Sequence, residues 1–319
     1  MKQYDVVAIG ELLIDFTQNG KSSQGNPVFE ANPGGAPCNV LAMLQKLGKS
    51  TAFIGKVGAD GFGHQLEQAL IETGISTEGL RFDTDIHTTL AVVQTKADGD
   101  RDFSFYRNPG ADIMLREDEL PIDIIKNAKL FHFGSLSLTD EPVRTSTRKA
   151  IQIAEEAGIC ISFDPNLREP LWKTEYAARE QIRYGMQHCH VLKISDNEVQ
   201  WFTGEMDYDK AVQKLRDEFS IPLILLSLGK EGSRAYCGKE KVSMAPFLQE
   251  HTIETTGAGD TFMGCMLYGV LKHGYQNLSR KALEEMLRFA NAAASLITTR
   301  RGALRVMPEK EEILACMGR

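Results

Sequence analysis

Short runs of almost wholly apolar residues recur along this chain, each trailed by a segment with apolar residues at helical spacing. The strand-like runs are VVAIG from Val6, TAFIGKVG from Thr51, LFHFGSLSL from Leu130, ICISFDPN from Ile159, VLKIS from Val191 and PLILLSLG from Pro222. The helical segments start at Cys38 (ending on Gly48), Gly63 (closed by Gly74), Val143 (with Gly158 at its end), Thr261 and Leu283. A run apolar at nearly every position suits a strand buried on both faces. Alternation of such runs with helices selects a mainly parallel sheet with helices on both of its faces. The expected fold is therefore α/β and doubly wound.

Two stretches break the rhythm. Leu12 to Asn32 is polar and turn-rich, and His87 to Arg107 shows two β-like runs around the turn signal Ala97-Asp98-Gly99-Asp100. Both return to the same end of the core, so residues 12–32 and 87–110 are expected to form a small projecting β-sheet that covers a site as a lid. With 319 residues and no internal repeat, the expected organisation is one domain over 1–319 with the lid inserted in it.

Charge and cysteine usage narrow the function classes. A net charge of −7 argues against a nucleic-acid partner, which calls for a basic face. None of the six cysteines forms a C-x-x-C pair, so they read as reduced thiols of a cytoplasmic protein. His188-Cys189-His190 reads as the start of a strand rather than a metal site. Tyr4 to Gly10 already reads as a strand, which leaves no room for a signal peptide. The longest apolar run, Ile221 to Leu228, is too short to span a bilayer.

The strongest chemical signal is Glu254-Thr255-Thr256-Gly257-Ala258-Gly259-Asp260, which leads directly into a helix. Glycines 257 and 259 leave backbone N–H groups uncovered at the helix N-terminus, and the helix dipole adds positive potential, which makes an anion hole. Asp260 then stands beside the docked phosphate, placed to take a proton from an attacking hydroxyl. The same residues would also serve an ordinary helix start. The second signal is Asn32-Pro33-Gly34-Gly35-Ala36-Pro37-Cys38-Asn39, whose paired glycines admit a ligand close to the backbone and whose Asn39 suits sugar hydroxyls; a plain helix cap is its other reading. Asp15 follows the first strand, on the side where α/β sheets bind ligands, and is either a hydroxyl ligand or a solvated loop aspartate. Gly48-Lys49-Ser50 and Gly20-Lys21-Ser22 lack the upstream glycine of a P-loop, since Met43 and Asp15 stand there. The glycines at 55, 58, 61 and 63 make no dinucleotide-binding arrangement.

Together these residues resemble the ribokinase-like (PfkB-type) family of carbohydrate kinases over essentially the whole chain. The GG-x-x-x-N signature is matched by Gly34, Gly35 and Asn39, and the G-A-G-D signature by Gly257 to Asp260. The resemblance implies Asp260 as catalytic base, Gly257, Ala258 and Gly259 as anion hole, and Asp15, Gly34, Gly35 and Asn39 as sugar ligands. It implies that Lys193, Ser227, Gly229, Gly232, Gly257, Gly259 and Asn291 meet the nucleotide. Within the family the chain is most similar to fructokinases, through Phe131 to Leu138, Phe163 to Arg168 with Leu171-Trp172, and Tyr106 to Asp112. Tyr106, Arg107 and Arg168 are accordingly expected at the substrate or its phosphates. Surface pairing of the arginines, as with Glu169, is the other reading.

Two departures stand out. Ser195-Asp196-Asn197-Glu198 keeps the glutamate of the family's N-x-x-E segment but has serine for asparagine. Glu198 is therefore expected to act on Mg²⁺ only indirectly. Glu254 replaces the aspartate that helps several relatives hold a monovalent cation, which puts K⁺ in doubt. The expected reaction is transfer of the ATP γ-phosphoryl group to a hexose primary alcohol, foremost O6 of D-fructose, with Mg²⁺. A 2-keto-3-deoxygluconate kinase is the competing enzyme, with Arg107 or Arg168 meeting the acid. A sugar-sensing binding protein on a kinase fold is the non-catalytic alternative. The edges of the projecting sheet can pair with those of a second subunit, so a homodimer through the lid is expected.

Overall fold

A computed structural model describes residues 3–95 and 101–318 of the chain. Its strands are β1 (Tyr4–Ile9), β2 (Leu13–Lys21), β3 (Pro27–Gly34), β4 (Thr51–Gly58), β5 (Ser76–Asp83), β6 (Leu90–Thr95), β7 (Arg101–Tyr106), β8 (Ala128–Gly134), β9 (Cys160–Asp164), β10 (Val191–Ser195), β11 (Leu223–Ser227), β12 (Ser233–Cys237) and β13 (Glu240–Met244). Its α-helices are α1 (Ala36–Lys46), α2 (Gly61–Thr73), α3 (Ile122–Lys126), α4 (Val143–Glu156), α5 (Glu175–His188), α6 (Asp196–Thr203), α7 (Tyr208–Phe219), α8 (Ala258–His273), α9 (Arg280–Ile297) and α10 (Lys310–Met317).

Nine strands form one sheet in the order β13-β12-β11-β10-β9-β8-β1-β4-β5. Every neighbouring pair from β11 to β5 is parallel, and the two strands at the other edge are antiparallel. Strand alternation divides the core cleanly. Val6, Ala8, Leu223 and Leu225 face one apolar cluster, built with α1, α2, α8, α9 and α10. Val7, Ile9, Ile224 and Leu226 face the other, built with α3 to α7. Both faces are thus covered, and β4 is buried at all of its positions. The expected doubly wound α/β sheet is what forms.

The chain winds outward from β1 through β4 to β5, then restarts beside β1 at β8. The two strands pair side by side, but the chain after β1 leads to α1 on one face and the chain after β8 to α4 on the other, which leaves a crevice beyond their carboxyl ends, the usual ligand position in open α/β sheets. Glu11 follows β1 and Leu136 follows β8 at that crevice. The run from Leu130 is strand only to Gly134; the chain then leaves the sheet in a single 3₁₀ turn over Leu136–Leu138.

The second sheet has four strands in the order β3-β2-β6-β7. It comes from the two stretches that broke the sequence rhythm, while the turn signal at 97–100 lies outside the described residues. Its four crossings into the large sheet are pinned by polar contacts. Glu11, before β2, accepts from Ala36 N–H, after β3, at 2.8 Å. Thr88, before β6, donates its backbone N–H to Asp60 Oδ2 at 2.8 Å and accepts Gly58 N–H at 3.0 Å. Thr89 donates its hydroxyl to Asp112, and Arg107, just after β7, pairs with the same Asp112.

Candidate active site

The site assembles around the N-terminus of α8. Gly257 precedes the helix at φ 76°, in the left-handed region open to glycine. No side chain caps this helix, whereas α2, α5, α6, α7 and α9 each carry a capping side chain. Its leading amides are therefore left to an external acceptor. The Ala258 N–H is the exception, since it donates to the Thr255 carbonyl at 3.2 Å. A Cβ at position 259 would stand 3.2 Å from Lys193 Nζ, so the glycine leaves room for a buried ammonium beneath the helix start. Asp164 fixes that ammonium at 3.0 Å. Burial works against the Lys193 charge, but Asp164 and Glu198 outweigh it and hold its pKa above the ordinary value. A cation behind an open helix N-terminus is suited to a transferring phosphoryl group.

Asp260, in the first turn of α8, receives a hydrogen bond on Oδ2 from Asn39 Nδ2 at 2.8 Å. Burial raises its pKa, against the opposing pulls of that hydrogen bond, Lys193 and Arg168. A carboxyl raised in this way is a better proton acceptor than a solvated aspartate. Asn39 comes from the second turn of α1, and its Oδ1 is buried without a hydrogen-bond partner among the described residues.

Asp15, on β2, reaches the same cavity because Gly34 on the paired strand has no side chain: a Cβ there would stand 2.2 Å from Asp15 Oδ2. Gly34 therefore makes room for the carboxylate and is not itself in the cavity wall. Gly35, at φ 127°, does line it, and a Cβ on it would run into the Glu11 carbonyl at 2.4 Å. Burial pushes Asp15 up to about 7, with Arg168 pulling the other way. Glu11 is likewise pushed up to about 7 by burial. These groups share a cavity of about 600 Å³ with Arg168, Asn166, Lys193 and Asp260, and Leu13, Leu136 and Phe105 form an apolar wall. Carboxylates, amides and one guanidinium in a cavity that also holds an aromatic side chain suit a polyhydroxylated ligand.

A second cavity of about 510 Å³ lies on the other side of the helix start and shares Thr252, Thr255 and Gly259 with the first. Ser227, Gly229, Gly232 and Asn291 line it, together with Phe247, Leu248 and Phe262. Gly232 is required there, since at φ 95° a Cβ would meet the Met244 carbonyl at 2.1 Å. Asn291 has its own structural engagement: it accepts from Ser233 Oγ at 2.8 Å and donates to the Met244 and Ala245 carbonyls at 3.2 and 3.0 Å. It holds the segment that leads into Pro246 and Phe247 in the cavity wall.

Besides Gly34, two residues expected at the substrate stand outside the cavity. Tyr106 is exposed and Phe105 lines the cavity instead, because successive strand residues face opposite sides. Arg107 does not line the cavity. It is buried, with Nε donating to Asp112 Oδ2 at 2.8 Å, Nη1 to Thr139 Oγ1 at 2.9 Å and Nη2 to the Leu136 carbonyl at 3.0 Å. Glu198 also lies outside the wall. It accepts from Leu167 N–H at 2.7 Å and from Ser195 N–H and Oγ at 2.8 Å each. Both of its carboxylate oxygens are thus engaged by protein donors. Ser195 is the helix cap of α6 in a reciprocal box with Glu198, which accounts for serine there. Glu254 accepts from Gly302 N–H at 2.9 Å. Glu11, Phe105, Thr252 and Ile253 were not legible as site residues, and Asn166 entered only as part of the Phe163 to Arg168 run. For Phe105 the signal was present, as an aromatic one position from the one chosen.

Residues 3–310 match the family described as pfkB family carbohydrate kinase. The chain is 42% identical over 310 residues to Probable fructokinase-4 of Arabidopsis thaliana, covering 97% of this chain and 95% of that one. It is 41% identical over 312 residues to Fructokinase-1 of Zea mays, covering 97% and 96%. Among solved structures, the fructokinase of Vibrio cholerae O395 with fructose, ADP and calcium ion bound gives a TM-score of 0.88 at 30% identity, covering 98% of this chain and 99% of that one. The fructokinase of Xylella fastidiosa with bound ATP gives 0.88 at 28% identity, covering 100% and 99%.

Proposed function

The chain belongs to the pfkB family of carbohydrate kinases, and on that premise we propose that it transfers the γ-phosphoryl group of ATP to O6 of D-fructose. The observation that carries this reading is the position of Asp260. Its carboxylate sits in the cavity lined by hydrogen-bonding side chains, at an uncapped helix start shared with a second, more apolar cavity. The sugar lies against Asp15, Asn39 and Glu11 with its carbon face on Phe105. The adenine end of ATP lies along Phe247, Leu248 and Asn291, and its phosphates reach the amides of Gly257 to Gly259. Asp260 takes the O6 proton as the oxygen attacks, while the helix amides and Lys193 stabilise charge on the moving phosphoryl group. Mg²⁺ bound with the nucleotide would offset phosphate charge, and Glu198, which holds the Leu167 and Ser195 amides, would meet it through water. The four-stranded sheet closes the sugar cavity as a lid and keeps water from the γ-phosphate.

Two features set the keto-acid kinase aside. Arg107 is occupied by Asp112, which leaves Arg168 alone to meet a substrate carboxylate, and the curated relatives are fructokinases. A non-catalytic sensor would not need the retained base and anion hole. A homodimer through the lid is supported by its two edge strands, β3 and β7, with Val28 and Tyr106 exposed on them. The six cysteines form no disulfide, and no helix of the described residues is long and apolar enough to cross a membrane; the first of these supports a cytoplasmic location.

The test is ADP release with ATP and Mg²⁺ on D-fructose, 2-keto-3-deoxygluconate, D-ribose, D-glucose and adenosine. Fructose should be the preferred substrate, and Asp260→Asn should lower kcat on the order of 10²–10⁴-fold with ATP binding retained. Preference for the keto-acid would move the substrate assignment to Arg168. Normal turnover by Asp260→Asn would remove the base.

A further inference from the structure

Asn39 is 4% exposed, and its two amide atoms are in unlike situations. Nδ2 donates to Asp260 Oδ2 at 2.8 Å, joining α1 to α8. Oδ1 is enclosed without a hydrogen-bond partner among the described residues, although Asn39 lines the sugar cavity. A buried amide oxygen left unpaired is costly and is seldom retained without a use. The inference that follows rests on the kinase reading above.

We propose that Asn39 is a positioning residue for the base: its amide holds Oδ2 of Asp260, leaves Oδ1 to take the proton, and receives a sugar hydroxyl on its own unpaired oxygen. One rigid amide plane then links the two events. Turning that plane over would set Asn39 Oδ1 against the Asp260 carboxylate, two acceptors facing one another. A sugar hydroxyl that donates to Asn39 Oδ1 adds a second reason against the turn. Sugar binding thus reinforces the orientation in which the base is already aligned.

The charged groups around Asp260 come from several elements. Lys193 from β10 and Arg168 from the loop after β9 favour its ionised form. Asp15 from β2 and Asp164 from β9 interact with it as like charges. Asn39 is the neutral group that donates a hydrogen bond to it, so its removal should raise the pH at which Asp260 becomes a base.

The experiment measures the single-turnover rate of phosphoryl transfer against pH, at saturating ATP, Mg²⁺ and D-fructose, for the wild type, Asn39→Leu, Asn39→Asp and Asp15→Asn. This rate reports groups in the ternary complex and is free of product release. The acid limb should move up by about one unit in Asn39→Leu, the loss of one hydrogen bond to a charged group. It should move further up in Asn39→Asp, where a second carboxyl faces the base. Asp15→Asn should raise KM for fructose but move the limb down, because it removes a neighbouring negative charge. Nucleotide binding and the thermal midpoint report folding; if Asn39→Leu does not fold, the near-isosteric Asn39→Asp decides the matter. An unmoved limb with a raised KM for fructose would overturn the proposal and leave Asn39 a sugar ligand only. Full activity of Asp260→Asn would instead overturn the kinase mechanism itself, which separates the two failures.

Discussion

Replacing Arg107 by Met should destabilise the fold by about 3–5 kcal/mol, because the change breaks a buried ion pair on one side only. Arg107 is 6% exposed and Asp112 3%. The guanidinium gives Asp112 its cationic partner and also donates to Thr139 Oγ1 and the Leu136 carbonyl. Methionine keeps much of the volume but offers no donor, so Asp112 retains the Thr89 hydroxyl and little else against burial, with Glu11 nearby as a second acid. Chemical denaturation followed by the fluorescence of Trp172 and Trp201 would read the change as a lower midpoint at similar slope. Asp112→Asn added to Arg107→Met should recover part of the loss, with a coupling of roughly 1–3 kcal/mol. A loss under about 1 kcal/mol would refute the reasoning. A raised KM for fructose with an unmoved midpoint would return Arg107 to the substrate.

Gly34→Ala should displace the Asp15 carboxylate, since the new Cβ would stand 2.2 Å from Oδ2. KM for fructose should rise about 10-fold or more, the scale of a lost hydrogen bond to a charged group, while calorimetry finds ATP binding unchanged. Asp15 is pushed up to about 7 by burial and must be ionised to accept two hydroxyls. Fructose binding should therefore weaken as pH falls through about 7, with KM higher near pH 6 than near pH 8. Glu11, raised to about 7 as well, titrates in the same range, so Asp15→Asn should reduce that slope rather than abolish it.

The parts of this site written in local sequence were the parts that could be read from it. Gly257-Ala258-Gly259-Asp260 encodes an open helix start through backbone requirements that need no distant partner. The crevice beside β1 followed less directly, because it depends on which way the chain winds after β5. Apolar periodicity does not give that order, so the sequence showed only that Asp15 follows the first strand on the ligand-binding side. Tyr106 and Phe105 show a different limit: both are aromatic, and only the pairing of Ala91 with Phe105 sets which faces the cavity. Arg107 fits a phosphate ligand in sequence, and its commitment to Asp112 appears only once the chain folds back. The helices α5, α6 and α7 and the strand β5 passed unnoticed because their polar outer faces dilute the apolar pattern.

The pinned crossings of the small sheet give it the mechanics of a cantilever. A flap on a soft joint swings as a rigid plate and samples many open poses, so shutting it carries a large loss of entropy. Here Glu11, Thr88, Thr89 and Arg107 root the strands where they leave the large sheet. Closure over the sugar would then take the form of bending from these roots. Closing such a spring would cost strain rather than disorder, to be recovered as recoil on product release. Stiffness then becomes a property that can be tuned at the root, far from any atom that touches the substrate.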